Sequence, residues 1–302
     1  MYVHEDLRRL RIVIFLPVDQ FALQGVIGSI TVYANDCDPM AHDLAMKMRI
    51  ERTYENTKLV PIKSKFKDLY EAMLSEGVEE ESLSGIIIGK NQIIDKYHAF
   101  VFLVSICLHF IFFLCVDTGI SPLQWADKKR GFCHLRNGIL DLRFDPNQNT
   151  PTAFEVLQNI DDHSLIRMLK IYGSLKSDAK HIALAILESR YMYYEFKTME
   201  ELYEVMQTAV KHATKSPMNE KADPKLVQEF LFKTITALRM FVNDELNQLD
   251  FAIRNIARHF LKPEVGTLAV IAHNEAEQKV VHKALTEIEF DENYMSQQVS
   301  SL

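Results

Sequence analysis

The sequence predicts an α/β chain, a parallel sheet with an all-helical segment inserted before its last strand. Three observations predict it. Short apolar runs alternate with helical-period segments between residues 30 and 88, the pattern of successive strand–helix–strand units. Two apolar runs, Ile30–Asp36 and the one closing at Val116-Asp117, end in a carboxylate. A buried parallel strand hands an acid to a ligand at its C-terminal edge in this way. Residues 149–223 then carry a helical period alone, before an apolar run returns at Thr267–Ala272.

Composition sets the bounds. The 302 residues suffice for one large domain or two moderate ones, and 48% hydrophobic with 25% charged residues supports a normal core. The net charge of −7 excludes a whole-molecule basic field that would draw in nucleic acid. A few placed Lys and Arg can still contact phosphates. Cys37, Cys107, Cys115 and Cys133 form no CxxC pair, so neither a metal site nor a redox motif is expected, and a reducing intracellular compartment is the default. The first residues mix Arg8, Arg9 and Arg11 with Glu5 and Asp6, a poor signal peptide and a weak transit peptide.

In chain order, Ile12–Leu16 reads as a first strand, and Gly25 and Gly28 are the only glycines before Gly77. Residues 30–36 read as a strand ending in Asp36, placed either to hold a ribose or to cap a helix. Asp38 is the better cap, because Pro39 fits the first helical position, and the helix continues through Ala45 and Met48. Lys58–Ile62 is a strand, Phe66 precedes a helix at Leu69–Leu74, and Ser84–Ile88 starts another strand. The apolar run Ala99–Val116 is broken only by Ser105 and His109 and has the length of a membrane span. As a span it would separate a strand from the acid at residue 117, whereas connections within a sheet are short. Residues 88–116 therefore read as an insert foreign to the fold, such as translated intron sequence, and a membrane partner is not expected.

The stretch 116–146 organises the rest. Asp117 and Gly119 end an apolar run, a polar segment with Gln124, Asp127 and Arg130 follows, and Gly131-Phe132 and Gly138 lead into Asp141, Arg143 and Asp145. Leu140, Leu142 and Phe144 alternate with those charges, which predicts a strand whose wet face carries two carboxylates around a guanidinium. That face is either a pocket wall or a surface loop with a salt bridge. Beyond Pro146, Ala153, Val156, Leu157 and Ile160 share a helical face, as do Leu165, Ile166, Met168 and Leu169. Ile182, Ala183, Ile186 and Leu187 mark a further helix, and Thr198 caps the next. Lys215–Lys225 is a junction, after which Val242, Leu246, Leu249, Ile253, Ile256 and Phe260 form one buried seam on a long helix. From Phe290 the tail reads as polar and frayed. Domain limits follow at 1–148, 149–223 and 224–302.

The stretch resembles the RsmH (MraW) family of ribosomal RNA small-subunit methyltransferases, whose hallmark is roughly DLGxSSxQLDxxxRGFSFxxDGPLDMRMD. It stands here, without a gap, as Asp117, Gly119, Ser121, Gln124, Arg130-Gly131-Phe132, Gly138, Leu140-Asp141, Arg143 and Asp145. The family's LDRDP box is similar to Ala34–Pro39, with Asn35 and Cys37 substituted, and its ALRIxVNxEL motif to Arg239 and Asn243–Leu246. Three features depart from the family. No GxGGH-like loop precedes Ile30, Ser174-Leu175 replace the acids of YGEE, and His273 is displaced by one position.

Over residues 30–88 and 117–285 the resemblance implies a Rossmann-like class I methyltransferase sheet with an inserted all-helical domain. It implies S-adenosyl-L-methionine as cofactor and the exocyclic N4 of a cytidine in small-subunit ribosomal RNA as target. Asp36, Phe66, Asp117 and Gln124 are the expected cofactor contacts, although a Phe entering a helix also reads as core. Asp141, Asp145 and Asn243 are the catalytic candidates, and Asn243 on a buried helix equally fits a structural partner. Arg130, Arg136 and Arg143 are the RNA-binding candidates, beside Lys128 and Lys129. Partners would be the ribosomal RNA and the assembling small subunit, in the mitochondrial matrix of a eukaryote or the cytoplasm of a bacterium. A catalytically degenerate homologue that still binds RNA or an assembling ribosome is the competing reading.

Overall fold

The computed structural model describes residues 30–51, 57–89, 112–117, 120, 122–192, 195, 197–217, 219–263, 266–270, 272 and 274–299. The expected strand at Ile12–Leu16, Gly25, Gly28, residues 90–111 and His273 lie outside them. The chain forms two compact units, Met1–Ser121 with Leu246–Leu302, and Pro122–Glu245. The second is wider on both sides than the expected helical segment 149–223.

The first unit is built on a parallel sheet. Strands β1 (Ile30–Asn35), β2 (Thr57–Ile62), β3 (Gly85–Gly89), β4 (Phe112–Asp117) and β5 (Thr267–Val270) lie in the order β2-β1-β4-β3-β5. Every pairing is parallel. Helix α1 (Pro39–Glu51) starts where Asp38 accepts the Met40 amide at 3.0 Å, the cap expected from the Asp-Pro pair. Helix α2 (Phe66–Ser75) buries Phe66, Leu69 and Met73, spaced to share one face.

The expectation that Asp117 follows directly from the strand at 84–88 is corrected by β4. The last residues of the apolar run form a strand of their own at the centre of the sheet, between β1 and β3. The sequence Phe112-Phe113-Leu114-Cys115-Val116 is uniformly apolar, the composition common in central parallel strands. Residues 112–116, assigned from sequence to the insert, are therefore part of the sheet. Among the described residues no helix is long and apolar enough to cross a membrane.

The expected long helix is also interrupted. Asn243 ends one helix, Asp244 takes a left-handed φ of 53°, and the next helix starts at Glu245. Helix α9 (Glu245–Phe251) passes through a π-helical segment, Ala252–Ala257, into α10 (Arg258–Phe260). Four residues of the predicted seam keep a common packing beyond the break, whereas Val242 lies before it and Leu246 is only half-buried. Leu249, Ile253, Ile256 and Phe260 pack with α2, Leu83, Ile86, Ile88 and Leu268 in the core of the first unit. Helix α11 (Glu275–Val299) continues past Phe290, where a frayed tail was expected.

The second unit contains α3 (Pro122–Ala126), α4 (Ala153–Asn159), α5 (Asp162–Tyr172), α6 (Ala179–Tyr191), α7 (Met199–Thr214) and α8 (Pro224–Val242). Thr152 and Thr198 each close a capping box with the Glu three residues on, so two helix starts have reciprocally satisfied donors. The apolar periodicities read from the sequence are the buried faces of α4–α7.

Leu69, fully buried on α2, and Ile50, 75% exposed on α1, give a matched pair of tests. Leu69→Ala should lower unfolding stability by roughly 2–5 kcal/mol in urea titration, and Ile50→Ala by no more than about 0.5 kcal/mol.

Candidate functional site

The carboxyl edge of the sheet is the first place where functional residues gather. Asn35 pairs with Val116, and Gly89 with Asp117, so Asp36 and Asp117 sit at the same edge at the ends of neighbouring strands. Adjacent strands lie about 4.8 Å apart. In open parallel sheets ligands bind outside this edge. The Asp36 amide donates to Ile62 O at 3.1 Å, and its Oδ1 accepts the Asp38 amide at 2.8 Å, which folds the turn back on the strand end.

Two neighbours of these acids were not singled out from sequence. Asn35 is 3% exposed; its Oδ1 accepts from Ser64 Oγ at 2.8 Å, while Nδ2 is buried with no partner among the described residues. Cys37 has its thiol pushed up to about 12, first by burial and then by the Asp36 and Asp38 carboxylates. The thiol therefore stays protonated at neutral pH and is no nucleophile. Phe66 belongs to the hydrophobic core at the start of α2.

The second gathering is the loop 127–148 of the other unit. Two glycines let its legs touch. A Cβ on Gly131, whose φ is +71°, would lie 2.0 Å from Ile139 O, and one on Gly138 would lie 2.4 Å from Lys128 O. The strand expected over Leu140–Phe144 is instead irregular, with Leu142 at a left-handed φ of 61°. Leu140 and Leu142 are nonetheless fully buried, so the alternation reports an in-and-out loop without a ladder. Leu142 N donates to Arg130 O at 3.0 Å and Leu140 N to Lys197 O at 2.9 Å, bonds to residues that form no adjacent strand.

Asp141 and Arg143 meet as a bidentate pair, Nε–Oδ1 2.7 Å and Nη2–Oδ2 2.8 Å. That hydrogen bond holds the guanidinium above its ordinary pKa. Arg143 Nη1 donates to Gln148 O at 3.0 Å and to Thr150 O at 3.4 Å. Arg130 is buried, donating through Nη2 to Arg143 O at 3.0 Å and Phe144 O at 2.7 Å. Both arginines, expected on RNA, thus hold the loop's own backbone and carboxylate. Arg136 is exposed.

Asn243 ties the loop to α8. Its Oδ1 accepts the Phe144 amide at 2.7 Å, and its Nδ2 donates to Leu142 O at 2.7 Å and Arg239 O at 2.8 Å. Asp145 accepts the Asn147 amide at 3.0 Å and Gln148 Nε2 at 3.4 Å. Gln124 is buried on α3. The loop thus brings together Arg130, Asp141, Arg143 and Asn243, and the sheet edge Asp36 and Asp117. Among the described residues no group of three or more His, Cys, Asp or Glu could hold a metal ion.

A small parallel sheet with helices makes the first unit an α/β fold, and Asp36 and Asp117 lie at the edge where such sheets place ligands. Residues 20–299 match the model of the MraW methylase family, and the chain belongs to that family. It is 29% identical over 270 residues to the mouse 12S rRNA N(4)-cytidine methyltransferase METTL15, covering 88% of this chain and 57% of that protein. It is 35% identical over 182 residues to the Ribosomal RNA small subunit methyltransferase H of Ureaplasma parvum, covering 59% of this chain and 54% of that protein. A 31% identity over 250 residues relates it to a Culex quinquefasciatus protein named putative receptor-type tyrosine-protein phosphatase mosPTP-1, covering 82% of this chain and 14% of that protein. The chain thus spans little more than half, or less, of these relatives.

Two outcomes test this geometry. Asn243→Ala leaves the Phe144 amide and the Leu142 carbonyl without their partner and should cost roughly 2 kcal/mol or more in urea unfolding. Cys37 should resist alkylation at pH 8 in the native protein and react once unfolded, read by peptide mass mapping, because its raised pKa keeps the thiolate fraction small.

Proposed function

We propose that this chain is an S-adenosyl-L-methionine-dependent methyltransferase acting on the exocyclic N4 of a cytidine in small-subunit ribosomal RNA. The substrate would be that RNA or an assembling small subunit. Its sheet would be the Rossmann-like class I methyltransferase sheet, interrupted by the helical domain. In a eukaryotic cell the reading implies the mitochondrial matrix, and in a bacterium the cytoplasm. Family membership supports it, and the observation that carries it is the pair Asp36 and Asp117 on adjacent strand ends.

The residues at that edge suit the cofactor. A ribose presents two hydroxyl donors, which Asp36 would accept, and the orphaned Asn35 Nδ2 is a buried donor beside it. Asp117 would complete the contacts, with Phe66 bordering them. When bound, S-adenosyl-L-methionine supplies an electrophilic methyl group. What the protein adds is alignment, since a direct displacement depends on near-attack geometry more than on a strong base.

A cytosine amine is a weak nucleophile because its lone pair is shared with the ring. An acceptor at its N–H localises that pair. A carboxylate has about four acceptor sites. Asp141 gives three to Arg143, two on Oδ1 and one on Oδ2. One site on Oδ2 is thus left for an amine N–H. Asp145 is the second candidate acceptor. Asn243 acts as a positioning residue that fixes the Leu142–Phe144 backbone. Exposed Arg136 contacts RNA phosphate, while Arg130 and Arg143 shape the loop.

The competing reading is a degenerate homologue that binds RNA without catalysis. It is favoured by the lack of a recognisable glycine-rich loop ahead of β1 and by Ser174-Leu175 in place of two acids. Calorimetric titration of S-adenosyl-L-methionine separates the two. Binding on the order of micromolar, weakened at least about tenfold by Asp36→Ala and by Asp117→Ala, is the expected result. An absence of binding by the parent chain would overturn the methyltransferase reading.

A further inference from the structure

One cluster in the second unit plays no part in that chemistry. Trp125 on α3, His134 in the loop and Phe232 on α8 form an aromatic row. The Trp125 and His134 ring centroids are 5.5 Å apart, those of His134 and Phe232 5.2 Å, and both contacts are T-shaped. A row made for packing would be covered. Phe232 is instead 50% exposed, and the neighbouring loop residue Ile139 is 56% exposed.

The rim is cationic. Lys128, Lys129 and Arg136 are exposed, and their side chains make no ion pair or hydrogen bond among the described residues. Elsewhere in this acidic chain Arg143, Arg239 and Arg254 are paired with carboxylates. Trp125, Lys128 and Arg136 line one shallow depression. Asp127, which also lines it, turns its Oδ1 to the Lys129 amide at 2.9 Å. Burial lowers the His134 pKa, so at neutral pH the middle ring adds no charge of its own.

Part-exposed aromatic rings bordered by unpaired cations are what single-stranded nucleic acid needs, a face for bases and charges for the backbone. We infer that Trp125, His134 and Phe232 form a stacking shelf for unpaired bases of the RNA strand, with Lys128, Lys129 and Arg136 on its phosphates. The inference rests on the RNA reading above and deepens it, because it names where the strand lies outside the loop carboxylates. Stacking on this shelf is sequence-tolerant, since every base has a π face.

Trp125 is the sole tryptophan of the chain, so its fluorescence reports the shelf directly. The experiment adds a short single-stranded oligocytidylate to the full chain at low salt and follows Trp quenching together with anisotropy of the labelled strand. A backbone-matched abasic strand serves as control. Quenching by the oligocytidylate but not by the abasic strand is expected. Phe232→Ala, on an exposed position, should weaken binding by about tenfold, and His134→Phe should retain it.

Anisotropy binding without quenching, or equal affinity for the abasic strand, would leave phosphate contacts alone and overturn the shelf. So would an absence of strand binding, the result expected if this patch faces another protein. The cofactor titration on the same preparation keeps the failures apart. Cofactor binding without quenching sinks only the shelf, and quenching without cofactor binding sinks only the methyltransferase reading.

Discussion

One primary amide holds the irregular part of this protein together. Asn243 closes α8 and uses both amide protons and its oxygen on backbone groups of Leu142, Phe144 and Arg239. A buried leucine in the left-handed region is unfavourable by roughly 1–2 kcal/mol, and Leu142 occupies it because its amide and carbonyl are both engaged. Arg130 grips the next two carbonyls. Beyond Asn243 the turn is closed by Arg239 and Glu245, a buried bidentate pair at 2.6 and 3.0 Å. Such a pair adds little net stability but fixes geometry, because any other arrangement leaves a buried charge alone. Asp141 and Arg143 inherit their orientation from this scaffold.

Much of the architecture was legible because it rests on local chemistry. Asp38-Pro39, Thr198 with Glu201, and the apolar periods of α4–α7 are signals whose physics lies within a few residues. The failures involve distant partners. The alternation at Leu140–Phe144 correctly reports burial, yet a strand needs a neighbour, and the loop bonds to Arg130 and Lys197 instead. Arg130 and Arg143 read as RNA-binding candidates because nothing in the spacing shows that Phe144, Gln148 and Thr150 carbonyls would surround them. The interruption at Asn243 carries no proline or glycine to announce it. Asn35 had a signal, a polar residue at the last buried position of a strand, and the aromatic row had the chain's only tryptophan.

The position of β4 has a further consequence, for the order of folding. Both of its hydrogen-bonded neighbours, β1 and β3, precede it in the chain. Until Phe112–Asp117 is synthesised, the β1–β2 ribbon and β3 have no edge in common and cannot join. The two halves are joined through a middle strand while β5 is still to be added at the far edge, a non-local pairing that slows folding, and two inward edges wait unprotected meanwhile. The strand that brings Asp117 to the carboxyl edge is therefore also one whose late arrival prolongs the exposure of the nascent chain to aggregation.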